Sequence, residues 1–117
     1  MTKILLAEDD ETMVSLLKTL LVMEGYEVAS LDITERDVLS AVRREEPNLI
    51  LLDVNLPFIN GIDFMKTLRK DEELKKTYVI MSSGMNLKQE CLDSGANDFL
   101  LKPYMPDDLI AAIQQCI

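Results

Sequence analysis

The 117-residue sequence contains no histidine, and this absence removes histidine-based catalysis, zinc–histidine sites and phosphohistidine chemistry from the chain. Cysteine is also scarce: Cys91 and Cys116 fit a reduced cytoplasmic protein better than a disulfide scaffold. Long hydrophobic runs are missing, and the apolar segment near the N-terminus covers only residues 4–7. That segment is too short for a signal-peptide core or a membrane span, so we expect a cytoplasmic protein without membrane contacts.

Basic residues are outnumbered, with 12 Lys and Arg against 21 Asp and Glu and a formal net charge of -9. A negative field repels the phosphates of nucleic acids and anionic membrane surfaces, so direct nucleic-acid binding by this chain is not expected. Apolar residues are abundant at 48%, which is enough for a packed core at a length typical of one domain. We therefore expect a single domain spanning residues 1–117.

Five short apolar runs alternate with longer helical patterns along the chain. The runs cover residues 4–7, 28–31, 49–52, 78–81 and 99–101, and the first, third and fourth are continuously apolar. Continuous runs of this kind are typical of parallel strands that are covered on both faces. The helical patterns cover residues 13–21, 38–42, 62–68, 87–94 and 109–117. This alternation predicts a doubly wound α/β fold whose five parallel strands are joined by right-handed crossovers.

Polar residues follow the apolar runs, at the carboxyl ends of strands where a doubly wound sheet binds its ligands. They are carboxylates, hydroxyls and one ammonium: Glu8, Asp9, Asp10, Asp53, Ser82, Ser83 and Lys102. Several carboxylates in one pocket repel each other and demand a cation. Because only oxygen ligands are on offer, the sequence favours Mg²⁺ over Ca²⁺ or a transition metal, with Mn²⁺ as a substitute.

Asp53 follows the third apolar run, in the stretch ILLDVNLP of residues 50–57. An aspartate beside Mg²⁺ and a lysine is a plausible acceptor of a phosphoryl group, forming an aspartyl phosphate. Lys102 would hold a phosphoryl oxygen as a point charge, and Ser83 would hydrogen-bond to another. The joint placement of these residues at one edge of the sheet carries this hypothesis.

Each of these residues also has an ordinary structural interpretation when it is considered alone. Asp10 is better explained as the cap of the first helix, with Glu11 in its first turn. Serines near strand ends are common, and a lone lysine is more often a surface residue whose stem packs on apolar atoms.

The chain resembles the receiver domain of two-component response regulators along its whole length and in the right order. The resemblance is carried by residues 4–10 (ILLAEDD), 51–57 (LLDVNLP) with Asn60 and Gly61, 79–84 (VIMSSG), 94–99 (SGANDF) and 101–104 (LKPY). It implies a flavodoxin-like sheet with strand order 2-1-3-4-5. It further implies that Asp53 is the phosphoacceptor and that Asp9 binds Mg²⁺ directly. Glu8 would act mostly through a metal-bound water, and Asn55 would offer its backbone carbonyl.

The resemblance also implies a switch. Ser83 would be the switch hydroxyl, Lys102 the phosphate-pairing lysine with a cis bond to Pro103, and Phe99 the switch aromatic residue. Gly84 would leave room near the acceptor. Phosphorylation would then repack the face built by the fourth helix, the fifth strand and the fifth helix, and so control an output domain or an effector protein.

Because the chain has no histidine, the phosphoryl group must come from a histidine kinase, a histidine phosphotransfer protein or a small phosphodonor. In this interpretation the protein is a switch, and it catalyses only its own phosphorylation and dephosphorylation. The last helix has no arginine, which makes the charge-lattice dimer of one receiver subfamily doubtful.

Two other classes of protein stay open from the sequence. An aspartate-nucleophile phosphatase of the haloacid dehalogenase type would carry its nucleophile after the first strand, whereas Asp53 follows the third. A flavodoxin-like FMN carrier would need a hydroxyl-rich phosphate loop after the first strand, where this chain has Glu8, Asp9 and Asp10. A receiver used only for constitutive docking would not need the full set of polar residues.

Overall fold

The computed structural model describes residues 1–32, 34–57 and 59–117. Its main sheet contains five parallel strands: β1 (Lys3–Ala7), β2 (Glu27–Ser30), β3 (Leu49–Asp53), β6 (Tyr78–Ser83) and β7 (Asp98–Leu101). A small antiparallel hairpin, β4 (Asn55–Leu56) and β5 (Ile59–Asn60), follows β3. The helices are α1 (Glu11–Met23), α2 (Val38–Glu45), α3 (Gly61–Lys70), α4 (Lys88–Asp93) and α5 (Pro106–Cys116).

The order of the main sheet is β2-β1-β3-β6-β7. Counted without the hairpin, this is the order 2-1-3-4-5 that the resemblance implies, so the predicted doubly wound α/β fold is confirmed. The chain reverses direction across the sheet between β1 and β3, which makes the carboxyl ends of these two strands the topological switch point.

The core has two layers, one on each face of the sheet, because successive strand residues point to opposite faces. On one face Leu5, Ile50 and Val79 pack against α2, α3 and α4. On the other face Ile4 and Leu49 pack with apolar residues of α1 and α5. Burial of each such side chain stabilises the folded state by about 2 kcal/mol relative to exposure. The two layers therefore fix the strands, and with them the polar residues at the carboxyl ends of the strands.

Local signals in the sequence set the ends of the helices. The Asp10 side chain accepts hydrogen bonds from the N–H groups of Thr12 and Met13, at 3.0 and 3.2 Å, which confirms its predicted role as a cap. Gly95 ends α4 with a φ of +113°, a backbone conformation that glycine adopts without strain. Among the described residues, no helix combines the length and the hydropathy needed to cross a membrane.

Arg69 joins the end of α3 to two loops that lie at the amino ends of the strands, opposite the carboxyl ends that carry the polar residues. Its guanidinium donates to the carbonyl oxygens of Gly95, Lys75 and Thr77 and to Oδ1 of Asn97, over distances of 2.7–3.0 Å. Asn97 Oδ1 also accepts from the Val79 N–H at 2.8 Å. Burial lowers the pKa of Arg69 from its usual value. The residue therefore serves as a structural anchor of the turn between α4 and β7.

Candidate functional site

Strand pairing brings the predicted polar residues together at one edge of the sheet. Ala7 of β1 lies beside Leu52 of β3, so Glu8 and Asp53 are the next residues on adjacent strands. Asp53 in turn pairs with Ser82 of β6. The strands extend further than the apolar runs predict, because Asp53, Ser82 and Ser83 are their last residues and not the residues after them.

Lys102 links the two buried carboxylates. Its Nζ lies 2.8 Å from Glu8 Oε2 and 3.0 Å from Asp53 Oδ2. The lysine side chain is 22% exposed, and the carboxylate side chains of Glu8 and Asp53 are 6% and 9% exposed. The structure therefore brings the predicted lysine and these two acidic residues together at one edge of the sheet.

The protonation of these groups is perturbed by burial and by the ion pairs. Burial raises the pKa of Glu8 above its usual value, although the hydrogen bonds from Lys102 and from the Asp10 N–H act in the opposite direction. Burial by itself would lower the pKa of Lys102, but its hydrogen bonds to Glu8 and Asp53 prevail and raise it. Lys102 therefore stays a cation at neutral pH, and Glu8 holds its proton more strongly than a free carboxyl.

Glu8, Asp9 and Asp53 each place one carboxylate oxygen within 4.8 Å of the other two. Glu8 and Asp53 are buried whereas Asp9 is exposed, so the cluster opens to solvent on one side. An all-oxygen set with an open side fits Mg²⁺, which uses one or two protein carboxylates and keeps several waters. The acidic pocket therefore fits the predicted cation in ligand type and in access.

Asn55 lies against Asp53 through its peptide N–H, which donates to Asp53 Oδ1 at 3.0 Å. The two oxygens of Asp53 are thus held from two sides, one by Asn55 and the other by Lys102. The use of the Asn55 carbonyl as a metal ligand stays a prediction.

Ser83 lies on β6, which pairs with the strand that carries Asp53, and Phe99 lies on the next strand, β7. The Ser83 hydroxyl accepts a hydrogen bond from the Met85 N–H at 3.1 Å, and its carbonyl accepts one from the Lys102 N–H at 2.8 Å. Phe99 is 8% exposed and belongs to the buried core, so its ring lies inward in this structure. The bond between Lys102 and Pro103 is cis, as the resemblance implies.

Two glycines near the site differ in what surrounds them. A β-carbon on Gly61 would lie 2.9 Å from Val54 Cα and 3.0 Å from Met81 Cε, so any other residue would force the start of α3 or the chain after β3 to shift. A β-carbon on Gly84 would meet no atom within 4 Å, so there is open space beside Ser83.

Tyr104 is a neighbour of the site that the sequence does not point to as a functional residue. Burial raises its pKa to about 12, opposed by the charge of Lys102 and supported by those of Glu8 and Asp53. Its phenol is therefore neutral at physiological pH. Only its position two residues after Lys102 could have directed attention to it.

Known proteins that are similar to this chain belong to the family that the sequence resembles. Residues 4–114 match the family model described as the response regulator receiver domain. The DNA-binding response regulator MtrA of Mycobacterium leprae is 34% identical over 113 residues. That match covers 96% of this chain but 49% of MtrA, so the chain spans about half the length of this relative.

Two solved structures are similar over nearly their whole length. The chemotaxis response regulator CheY4 of Vibrio cholerae has a TM-score of 0.88 at 29% identity, with 100% of this chain and 99% of that chain covered. The receiver domain of the sensor histidine kinase PA1611 from Pseudomonas aeruginosa has a TM-score of 0.80 at 28% identity, with 97% and 95% covered. In the PA1611 structure a magnesium ion is coordinated in the active-site cleft.

A doubly wound sheet with an acidic pocket and a lysine at its switch point defines a class of phosphoryl-accepting signalling domains. The chain belongs to the response regulator receiver domain family of two-component systems. Receiver domains are signalling switches that bind Mg²⁺ at an acidic pocket, and the cluster of Glu8, Asp9 and Asp53 fits such a pocket. The family assignment decides against the phosphatase and the FMN carrier.

Proposed function

We propose that Asp53 is the phosphoacceptor and that residues 1–117 act as one receiver domain. The observation that supports this best is the pair of contacts on the Asp53 carboxylate, with Lys102 Nζ on one oxygen and the Asn55 N–H on the other. These contacts orient the carboxylate at the open edge of the sheet. An Asp53 oxygen would attack the phosphorus of the donor, and the bond from phosphorus to the donor nitrogen or oxygen would break.

The acidic pocket supplies the metal ligands in this proposal. Asp9 would bind Mg²⁺ directly, Glu8 would act through a metal-bound water, and Asp53 and the Asn55 carbonyl would complete the protein ligands. The bound cation would neutralise charge on the phosphoryl oxygens. Glu8 has a second role, because it holds Lys102 Nζ at 2.8 Å and so keeps the ammonium beside the acceptor.

The phosphoryl group would add about 1.5 to 2 negative charges beside Lys102, together with strong acceptor oxygens. Lys102 would turn from Glu8 toward a phosphoryl oxygen. The Ser83 hydroxyl would exchange its bond with the Met85 N–H for a bond to the phosphoryl group. Phe99 is buried in the core and pairs with Met81, two residues before Ser83, on the adjacent strand. This movement would therefore repack the surface of α4, β7 and α5.

The donor would be a phosphohistidine on a histidine kinase or a phosphotransfer protein, or a small acyl phosphate, because this chain has no histidine of its own. The response would pass to an output domain or an effector protein. MtrA is named as a DNA-binding response regulator, and it is about twice as long as this chain. We propose that the surface of α4, β7 and α5 regulates an output of this kind, on the same chain or on another.

The test is to treat the protein with Mg²⁺ and either acetyl phosphate or beryllofluoride. Wild type should gain a phosphoryl adduct by intact mass, and the amides of Asp53, Ser83 and Lys102 should shift in NMR spectra. Asp53→Asn should show neither change. Asp63→Asn, on an exposed position of α3, is the matched control and should behave as wild type. An adduct that persists in Asp53→Asn, or no adduct on wild type, contradicts the proposal.

A further inference from the structure

A groove of about 430 Å³ runs along the edge strand β7 and helix α5, on the surface that the proposed switch would repack. Its apolar lining includes Leu100, Leu101, Tyr104, Ala111 and Ala112, and its polar lining comes from Asp98, Asp108 and Gln115. The two alanines leave room because their side chains are small, and Leu101 is 48% exposed at the edge of the groove. An apolar side chain of a partner could therefore enter between the strand and the helix.

The charged residues that line the groove are all acidic. Asp98 and Asp108 line it, and Asp107 is exposed beside them at the start of α5. Neither β7 (DFLL) nor α5 (PDDLIAAIQQC) contains a lysine or an arginine. Among the described residues, no ion pair involves these three aspartates.

The nearest cation in the sequence is Lys102, which follows β7 directly. Its ammonium points away from the groove, because it is held by Glu8 and Asp53 in the acceptor site. A phosphoryl group on Asp53 would hold it there as well. The negative charge of the groove is therefore not balanced by the residue best placed to do so.

A second copy of the chain is a poor occupant for this groove. Facing copies would bring Asp98, Asp107 and Asp108 toward the same residues of the other copy, and like charges at an interface disfavour association. The net charge of -9 adds to this repulsion. The complementary surface is a cationic one.

We propose that the groove between β7 and α5 binds a lysine- or arginine-bearing segment that inserts an apolar side chain between Leu101 and the alanines of α5. This inference rests on the proposed function, because it takes the surface of α4, β7 and α5 as the one through which the switch acts. The partner is a basic protein segment, and the aspartates contribute attraction and orientation.

The probe is a fluorescein-labelled peptide with two leucines between two pairs of lysines, compared with a peptide in which glutamate replaces each lysine. Binding is measured by fluorescence anisotropy and by NMR shifts, with and without beryllofluoride. The lysine peptide should shift amides of β7 and α5, whereas the glutamate peptide should not. The Asp98→Asn/Asp108→Asn variant should weaken binding about threefold to tenfold, since exposed charge pairs contribute little each.

The matched control is Glu24→Gln/Glu27→Gln, which changes the net charge equally at exposed positions near β2. This control should bind as wild type does. Asparagine can still accept the hydrogen bonds that Asp98 and Asp108 receive from the N–H groups of Phe99 and Met105, so the folded structure is preserved.

The inference is wrong if both variants weaken binding equally, if the glutamate peptide binds as tightly, or if sedimentation shows a dimer formed through this surface. Beryllofluoride separates this failure from failure of the proposed function. If shifts appear at Asp53 without peptide binding, the groove proposal alone is overturned. If the peptide binds β7 and α5 while Asp53 is unaffected by beryllofluoride, the groove stands and the phosphoacceptor proposal fails.

Discussion

Replacing Lys102 with methionine should be a severe perturbation of the site, because it removes the cation that two buried carboxylates share. Lys102 Nζ lies 2.8 Å from Glu8 Oε2 and 3.0 Å from Asp53 Oδ2. Methionine keeps much of the apolar stem of lysine, so the experiment removes the charge while largely preserving the packing.

The expected loss follows from these distances and from the exposure of the groups. At about 3 Å and an effective dielectric constant of about 20, each ion pair contributes about 5 kcal/mol before the desolvation of its charges is subtracted. Breaking a buried pair by removing one partner typically costs about 3–5 kcal/mol. Because Lys102 is 22% exposed and water reaches the site, we expect the lower end, about 3 kcal/mol in the free energy of unfolding at pH 7.

The assay is urea unfolding followed by circular dichroism, in EDTA and again with Mg²⁺. The double variant Lys102→Met/Asp53→Asn should recover more than about 1 kcal/mol of the loss, because neighbouring charges couple. Mg²⁺ should restore part of the stability of Lys102→Met by serving as the counterion. Lys75→Met, which removes a more exposed ion pair with Glu72, should stay within about 0.5 kcal/mol of wild type. A Lys102→Met protein as stable as wild type, or strict additivity with Asp53→Asn, would show that the two carboxylates do not depend on the shared cation.

Three further predictions test other parts of the site and its support. Burial raises the pKa of Glu8 in the folded protein. Its contribution to the free energy of unfolding is therefore complete only below the pKa that it has in the unfolded chain, and it is lost as the pH rises through the pKa in the folded protein. Glu8→Gln should therefore need more urea to unfold than wild type at pH 7 in EDTA, and the difference should shrink on acidification; a constant difference contradicts this assignment. Gly61→Ala should cost about 1–3 kcal/mol in urea unfolding through its close contacts, whereas Gly84→Ala, in open space, should cost under about 0.5 kcal/mol; equal effects contradict the packing argument. Arg69→Met should lower the free energy of unfolding by about 2 kcal/mol and speed amide hydrogen exchange in the turn between α4 and β7. Unchanged exchange in that turn would show that the guanidinium does not anchor the turn.

The fold could be predicted closely because its main strands are short, nearly continuous apolar runs with helical patterns between them. The structure adds one or two residues to several strands, since pairing continues to Asp53 with Ser82 and to Ser83 with Leu101. Polar residues at those positions end the apolar signal before the hydrogen bonding ends. The β4–β5 hairpin was not predicted, because strands of two residues are too short to show a periodicity.

The site was predictable to the extent that its residues sit at strand ends. Glu8, Asp53 and Lys102 meet as expected, because parallel strands place their carboxyl ends at one edge. Arg69 could not be recognised from the sequence, since three of its four acceptors are main-chain carbonyls that leave no trace in residue type. The inward position of Phe99 could not be predicted from the sequence either, because it depends on how α4 packs on the sheet.

Lys102 connects Asp53 to the proposed docking groove through a single residue. Its ammonium contacts Asp53, its N–H donates to the Ser83 carbonyl at 2.8 Å, and its chain neighbours Leu101 and Pro103 line the groove. A change in the position of Lys102 therefore acts on the groove through covalent geometry and one backbone hydrogen bond. Proximity alone does not demonstrate coupling between two sites, because coupling needs an element with two arrangements that both sites bias. If the backbone around Lys102 is that element, beryllofluoride should change the affinity for the lysine peptide by the same factor by which the peptide changes the affinity for beryllofluoride.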